Sequence, residues 1–271
     1  MNKVYVITGS TSGIGKALLE KLVDKNIVFA GYRNEKYKEY LNKLGAIPFY
    51  IDMEIPETVL KAAEYIKSKT NKIDTLINCA GCVVAGAVEK IPVKEIRKQF
   101  EVNTFSHLDF TQKLLSLLKD GKIINISSMA SFGIFPFVSP YCASKRALDI
   151  LFNSMMVESD VKVISIKPGV IATPLWDKSV ELNQDTIEKC CGYEKEMKYL
   201  ISNAHKNGRN GLNVQKVVSV VLKADRAKNP KLSYTIGLDA KFAQIVSKLP
   251  LEIQNFIIRL GLKHKINTTK L

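Results

Sequence analysis

Residues 3–8, KVYVIT, run directly into residues 9–15, GSTSGIG, and the reading of that junction decides the fold. The first stretch is a short β-branched run of the kind that fills a strand buried on both faces. A helical pattern follows over 13–24, with Ile14, Leu18, Leu19 and Leu22 on one face. Between strand and helix stand Gly9, Gly13 and Gly15. Glycines at a strand-to-helix turn let backbone N–H groups approach a pyrophosphate, and the helix N-terminus adds free donors and a favourable dipole. The spacing G-x3-G-x-G differs from the usual G-x-G-x-x-G dinucleotide fingerprint, so position after a first strand gives the turn its weight.

Working outward, short apolar runs at 27–32, 46–51, 73–78, 121–127 and 161–167 alternate with helical patterns at 35–44, 56–69, 94–118 and 140–159. Strands separated by helices of this length predict βαβ units, hence a parallel sheet with right-handed crossovers and helices on both faces. The expected class is α/β: a doubly wound, Rossmann-type sheet in a single domain spanning 1–271. After Pro168 the pattern changes. Residues 174–212 are polar and helix-prone, and read as a flexible lid over a binding crevice; Pro174, Leu175 and Trp176 would begin its apolar wall, with Trp176 alternatively an anchor. A helix at 212–223 and a last strand at 232–236 follow. Residues 239–265 form a helical extension, split by Pro250. In its second half Leu251, Ile253, Phe256, Ile257 and Leu260 cluster on one side. Such a stripe is read as core or subunit interface, with a membrane surface the less favoured alternative.

Composition sets the outer limits. The chain has 271 residues, 46% hydrophobic and 24% charged, which suits a globular protein and excludes predominant disorder. No apolar run reaches the roughly 18 residues of a membrane-spanning helix. The opening MNKVYVITGS is interrupted by polar residues where a secretory signal would stay apolar, so a cytoplasmic location is expected. The net charge of +14 fits an anionic partner or simply solvated lysines. No nucleic-acid-binding module accompanies it, so no nucleic-acid partner is expected. Five cysteines, an odd number, read as reduced thiols. Cys79 and Cys82 have CxxC spacing but lack a second ligand pair, and His107, His205 and His264 lack ligand spacing, so no metal is expected.

Two further stretches carry chemistry. At the end of the second strand, NAD sites place an acid for the ribose 2′-hydroxyl and NADP sites place arginine for the 2′-phosphate. Here Arg33 and Asn34 occupy that position, which favours NADP over NAD, although Glu35 is adjacent. Tyr141 and Lys145 stand at i and i+4 of a helix, on one face. A phenol titrates near pH 10, and an adjacent ammonium is expected to lower that value and make Tyr141 a usable general acid/base.

Together these elements resemble the short-chain dehydrogenase/reductase family. Thr8-Gly9-x-x-x-Gly13-Ile14-Gly15 is similar to its cofactor turn, and Asn78-Cys79-Ala80-Gly81 to its Asn-x-Ala-Gly element. Asn103 matches the family's helix-four asparagine, and Ser128, thirteen residues before Tyr141, its catalytic serine, with Ser127 as competitor. The resemblance covers about residues 3–175. It implies catalysis by Asn103, Ser128, Tyr141 and Lys145. Tyr141 would exchange the proton, Lys145 tune it and hold the nicotinamide ribose, Ser128 bind the substrate oxygen, and Asn103 hold a relay water. It further implies cofactor contacts from Gly9, Ser10, Ser12, Gly13, Ile14, Gly15, Arg33, Asn34, Asp52, Asn78, Ala80 and Gly81, and from Pro168, Gly169, Ile171 and Thr173 beside the nicotinamide. Hydride would pass between that ring and a substrate carbon.

The C-terminal extension is more similar to members acting on apolar alcohols, so the expected substrate is a small apolar carbonyl or secondary alcohol, steroid-, retinoid- or lipid-like. A 3-oxoacyl thioester reductase and a non-catalytic dinucleotide-binding regulator are the alternatives. A homodimer through the helices at 94–118 and 140–159 is expected.

Overall fold

The computed structural model describes residues 2–268. Seven strands form one parallel sheet: β1 (Val4–Ile7), β2 (Ile27–Tyr32), β3 (Ile47–Tyr50), β4 (Thr75–Asn78), β5 (Lys122–Ile126), β6 (Lys162–Pro168) and β7 (Ser233–Ile236). Their order is β3-β2-β1-β4-β5-β6-β7. The chain winds outward from β1 in one direction, then returns to place β4 on its other side. The loops after β1 and β4 therefore diverge, and the crevice between them is where open parallel sheets bind ligands.

Apolar residues alternate between two faces along each strand. Tyr5 and Ile7 pack with Leu18, Leu19 and Val221 beneath α1 (Gly13–Leu22) and α10 (Gln215–Arg226). Val4 and Val6 pack with Ile66, Phe110 and Phe152 beneath α3 (Pro56–Lys69), α5 (Ser106–Leu114) and α6 (Ser139–Glu158). The sheet is thus covered on both sides, as an all-parallel sheet requires.

At the N-terminal ends of the strands, Asp225 is 3% exposed and ties four elements together. It accepts from Lys3 Nζ at 2.9 Å, Tyr5 Oη at 2.8 Å and Thr75 Oγ1 at 2.5 Å, while its backbone carbonyl accepts from Lys122 Nζ. Burial works against its ionisation, but these donors outweigh it and hold the carboxyl below its ordinary value.

Three expectations are modified. The single helix expected over 94–118 is two helices, α4 (Val93–Phe100) and α5, joined by a π turn at Glu101–Phe105. The region 174–212, expected as a lid, gains internal structure. It holds α7 (Leu175–Leu182), α8 (Gln184–Glu188) and α9 (Glu194–Asn210), with a small core in which Cys190 and Met197 pack against Ala87 and Phe137. Trp176 serves as an anchor there, donating its indole N–H to the Ile171 carbonyl at 2.8 Å. Finally, α11 (Leu238–Val246) and α12 (Leu251–Thr268) do not bury the predicted stripe: Leu251, Ile253, Phe256 and Leu260 are exposed. Among the described residues no helix is long and apolar enough to cross a membrane.

Candidate active site

The turn after β1 is shaped by contact as much as by conformation. Gly9 has φ +67°, and a Cβ there would come within 2.8 Å of the Ala80 backbone. Gly13 has φ +53°, with Thr173 as its only near neighbour. At Gly15 a Cβ would overlap the Gly9 carbonyl, so the first turn of α1 sits directly on the end of β1. Ser12, the N-cap, makes no side-chain capping bond, and no acid lies in the first turn of α1. The helix therefore presents uncapped N–H donors to the crevice, without a carboxylate competing for them. Ser12 Oγ is reached by Lys178 Nζ at 3.4 Å. Ser10 faces inward, donating its hydroxyl to Gly31 O at 2.7 Å.

The opposite wall is the segment after β4. Thr8 Oγ1 accepts from the backbone N–H groups of Cys79 at 2.9 Å and Ala80 at 3.2 Å, joining the two loops across the crevice. Beneath this wall, Gln99, Asn103 and His107 lie at i, i+4 and i+8 and are fully buried. All three bond to the same segment. His107 Nε2 donates to Ala80 O at 2.9 Å, which makes it the Nε2–H tautomer. Asn103 accepts from Cys82 N and donates to Cys82 O, both at 3.0 Å. Gln99 donates to Cys82 O at 2.7 Å and accepts from Val84 N at 2.5 Å. Asn183, between α7 and α8, completes the row by accepting from Ala85 N at 2.8 Å and donating to Val83 O at 2.6 Å. Side-chain amides thus satisfy backbone groups that no neighbouring strand reaches. The π turn aims Asn103 into this row; such insertions are frequent at functional sites.

The same helix pair fixes α6. Asn103 Nδ2 donates to Ser144 Oγ at 3.1 Å, and Thr104 Oγ1 donates to Ser144 O at 2.9 Å. Ser144 lies between Tyr141 and Lys145, so its anchoring sets the height of both. Lys145 is 4% exposed and donates to Ile126 O at 2.9 Å. A Cβ on Gly81 would lie 3.7 Å from its ammonium, so the small residue leaves room above Lys145. Ser128 is the serine that pulls the Tyr141 phenol down, whereas the Ser127 hydroxyl is buried without a partner among the described residues. Ser128 also accepts from Ala130 N at 3.1 Å. Ser128 and the Lys145 ammonium therefore sit at the C-terminal end of β5, with the Tyr141 ring centroid 5.9 Å from the ammonium.

One electrostatic expectation is reversed. Lys145 Nζ lies 5.9 Å from the Tyr141 ring centroid and turns toward Ile126 O. Burial dominates and pushes the phenol up to about 12, against a smaller downward pull from Ser128. Burial likewise lowers the Lys145 ammonium below its usual range and takes His107 down to about 3. Burial raises Cys79 to about 12 and Cys82 to about 11, so both remain thiols rather than nucleophiles.

The remaining predicted residues lie at or just after the C-terminal ends of β2, β3, β4 and β6. Asn78 is buried and donates to Asn125 Oδ1 at 2.9 Å, tying β4 to β5. Past β2, Arg33 is exposed and pairs with Glu54 at 3.3 Å, which also holds Lys98 at 3.0 Å. Asn34 caps a short turn by accepting from Lys36 N at 3.1 Å. Asp52 accepts from Glu54 N at 3.0 Å. After β6, Gly169 N donates to Ile236 O at 2.8 Å and Val170 N to Asp239 Oδ2 at 2.7 Å. Ile171 bridges Leu212, and Thr173 reaches back to Gly13. Among the described residues no cluster suited to a metal ion exists.

Comparison with known proteins agrees with this fold. The short chain dehydrogenase family model matches residues 3–184. The NADPH-dependent 3-dehydrocapnine reductase of Ornithobacterium rhinotracheale is 32% identical over 248 residues, covering 86% of this chain and 87% of that one. The 3-ketodihydrosphingosine reductase of Bacteroides thetaiotaomicron is 27% identical over 268 residues, covering 95% and 97%. A short-chain dehydrogenase from Burkholderia cenocepacia, solved in complex with NADP, superimposes with a TM-score of 0.74 at 24% identity, covering 95% and 97%. The chain belongs to the short-chain dehydrogenase/reductase family of NAD(P)-dependent oxidoreductases.

Proposed function

We propose that this protein is an NADPH-dependent reductase of a ketone on a lipid-like, long-chain substrate. The observation that carries the reading is the meeting of Tyr141, Ser128 and Lys145 beside the crevice at which the strand order reverses. The crevice fits a dinucleotide. Gly9 and Gly15 exclude side chains from its floor, Gly81 leaves space above Lys145, and α1 offers uncapped donors. Gly9, Ser10, Ser12, Gly13, Ile14 and Gly15 would hold the pyrophosphate, the inward-turned Ser10 through its backbone. Asn78, Ala80, Gly81 and Asp52 would border the adenosine. Pro168, Gly169, Ile171 and Thr173 would face the nicotinamide. Arg33, helped by Asn34, would meet a 2′-phosphate once it exchanges Glu54 for that anion.

A bound reduced nicotinamide supplies the hydride. The protein's own part is to deliver a proton and stabilise charge. A phenol raised to about 12 stays protonated at neutral pH, which suits a donor to a ketone oxygen. Ser128 donates a hydrogen bond to the same oxygen, and the Lys145 ammonium favours the tyrosinate left behind. Asn103 holds the wall and, in this reading, a relay water.

Two of the relatives carry names that are reductases of 3-keto or 3-dehydro compounds, one a sphingosine derivative, and these support a lipid-like substrate. The reading also includes a cytoplasmic setting and a homodimer across the outer face of α6, where Ile150 and Val157 are exposed. The test is NADPH oxidation with a series of 3-keto amines and simple ketones of rising chain length. The reading predicts kcat/KM rising with chain length and NADPH preferred over NADH. Flat dependence on chain length would overturn the substrate class.

A further inference from the structure

The two C-terminal helices present an unusual surface. On α11, Leu238, Phe242 and Ile245 recur at i, i+4 and i+7 and form one stripe, with Leu249 just beyond the helix. On α12, Ile253, Phe256 and Leu260 recur at i, i+3 and i+7. Leu238, Phe242, Ile245, Phe256 and Leu260 are between 61% and 84% exposed, far beyond the scattered apolar residues of an ordinary surface. Exposed Lys241 and Lys248 flank the first stripe, and exposed Arg259 and Lys263 flank the second. Opposing them are only Asp239, committed to Val170 N at 2.7 Å, and Glu252. Apolar residues edged by long basic side chains are complementary to an anionic bilayer, where the rings enter the acyl boundary and the cations stay among the headgroups. A second copy of the chain would bring like charges together across this face.

The position of the surface is informative. α11 packs on the 3-10 turn Met129–Phe132, which begins directly after Ser128. Gln254 of α12 lies against Gly133, and α12 also packs on α9 of the lid region. Both helices therefore border the rim of the candidate active site rather than its far side. We infer that α11 and α12 seat the protein on an anionic lipid surface, with the substrate crevice opening beside the bilayer. This inference deepens the lipid-ketone reading above and rests on it for the identity of the substrate.

The experiment is flotation of the full chain with vesicles of phosphatidylcholine alone or with phosphatidylglycerol added. It is paired with NADPH turnover on a short, water-soluble ketone. At least about tenfold more protein is expected to float with the anionic vesicles, with loss of the difference at high salt. F242S/F256S and, separately, R259E/K263E should abolish flotation while leaving soluble-ketone turnover and the circular dichroism spectrum unchanged. Equal flotation on both vesicles, or none on either, overturns the inference. So does a wild-type dimer that F242S/F256S converts to monomer without any change in flotation, since a second copy then covers the face. Failure of ketone turnover with flotation intact would instead count against the proposed reaction alone.

Discussion

Tyr141 is pulled two ways, and the balance predicts its behaviour. Burial raises its phenol to about 12 and Ser128 lowers it by less, so at neutral pH the group is a neutral phenol. Tyr141→Phe should keep NADPH affinity within about twofold and lower kcat by about 10²–10⁴, the usual contribution of a positioned acid. Fluorescence titration of NADPH and stopped-flow oxidation would check the two halves. Arg33 stands where an acid would select NAD, and among the described residues its ion pair is with the half-buried Glu54. Arg33→Asp should move the NADPH/NADH ratio of kcat/KM toward NADH by about tenfold or more, roughly one charge-assisted contact. An unchanged ratio would show that this arginine does not read the cofactor.

At the scale of elements, the strand-helix alternation was legible because each period is carried by many residues at once. Tyr5 and Ile7 with Leu18, Leu19 and Leu22 already show which faces meet. Tyr141 and Lys145 were singled out by their i, i+4 spacing, and Ser128 and Asn103 by the family resemblance. The partners of Asn103 in the amide row, Gln99, His107 and Asn183, were not, because they hold backbone groups distant in sequence. Gln99, Asn103 and His107 at four-residue intervals form a polar stripe that could have been noticed, but nothing local says that it faces the loop after β4. Asn183 lies roughly one hundred residues from the loop that it holds, and the π turn leaves no compositional mark. Leu251, Ile253, Phe256 and Leu260 show the converse limit, since an apolar stripe does not state whether protein or another medium covers it. The amide row makes its own prediction. Gln99→Leu strands the Val84 N–H and should cost about 1–3 kcal/mol by urea unfolding, as should Asn183→Leu for Ala85. Both should lower kcat through displacement of the wall, with the larger stability loss wherever the vacated N–H finds no water.

For the whole molecule, the sheet has a division of labour between its two ends. The C-terminal ends carry the crevice, whereas Asp225 at the other end locks Lys3, Tyr5 and Thr75 together. Because its folded value is depressed, this carboxylate contributes fully above the unfolded value of about 4 and loses its contribution as pH falls through the lower folded value. His107, lowered to about 3, adds a loss that begins as pH falls below about 6.5. Asp225→Asn should therefore cost about 1.5–3 kcal/mol at pH 7, a gap that narrows with acidification in chemical denaturation. The Asp225 network thus sits at one end of the strands and the candidate active site at the other, with the basic, apolar helices beside the latter. The most direct test of the central claim is single-turnover oxidation of NADPH by a long-chain 3-keto amine, comparing wild type with Tyr141→Phe, Ser128→Ala and Lys145→Met. The account predicts a fast transient in the wild type that each substitution slows by at least about 10²-fold. Wild-type rates in the Tyr141→Phe protein would contradict it.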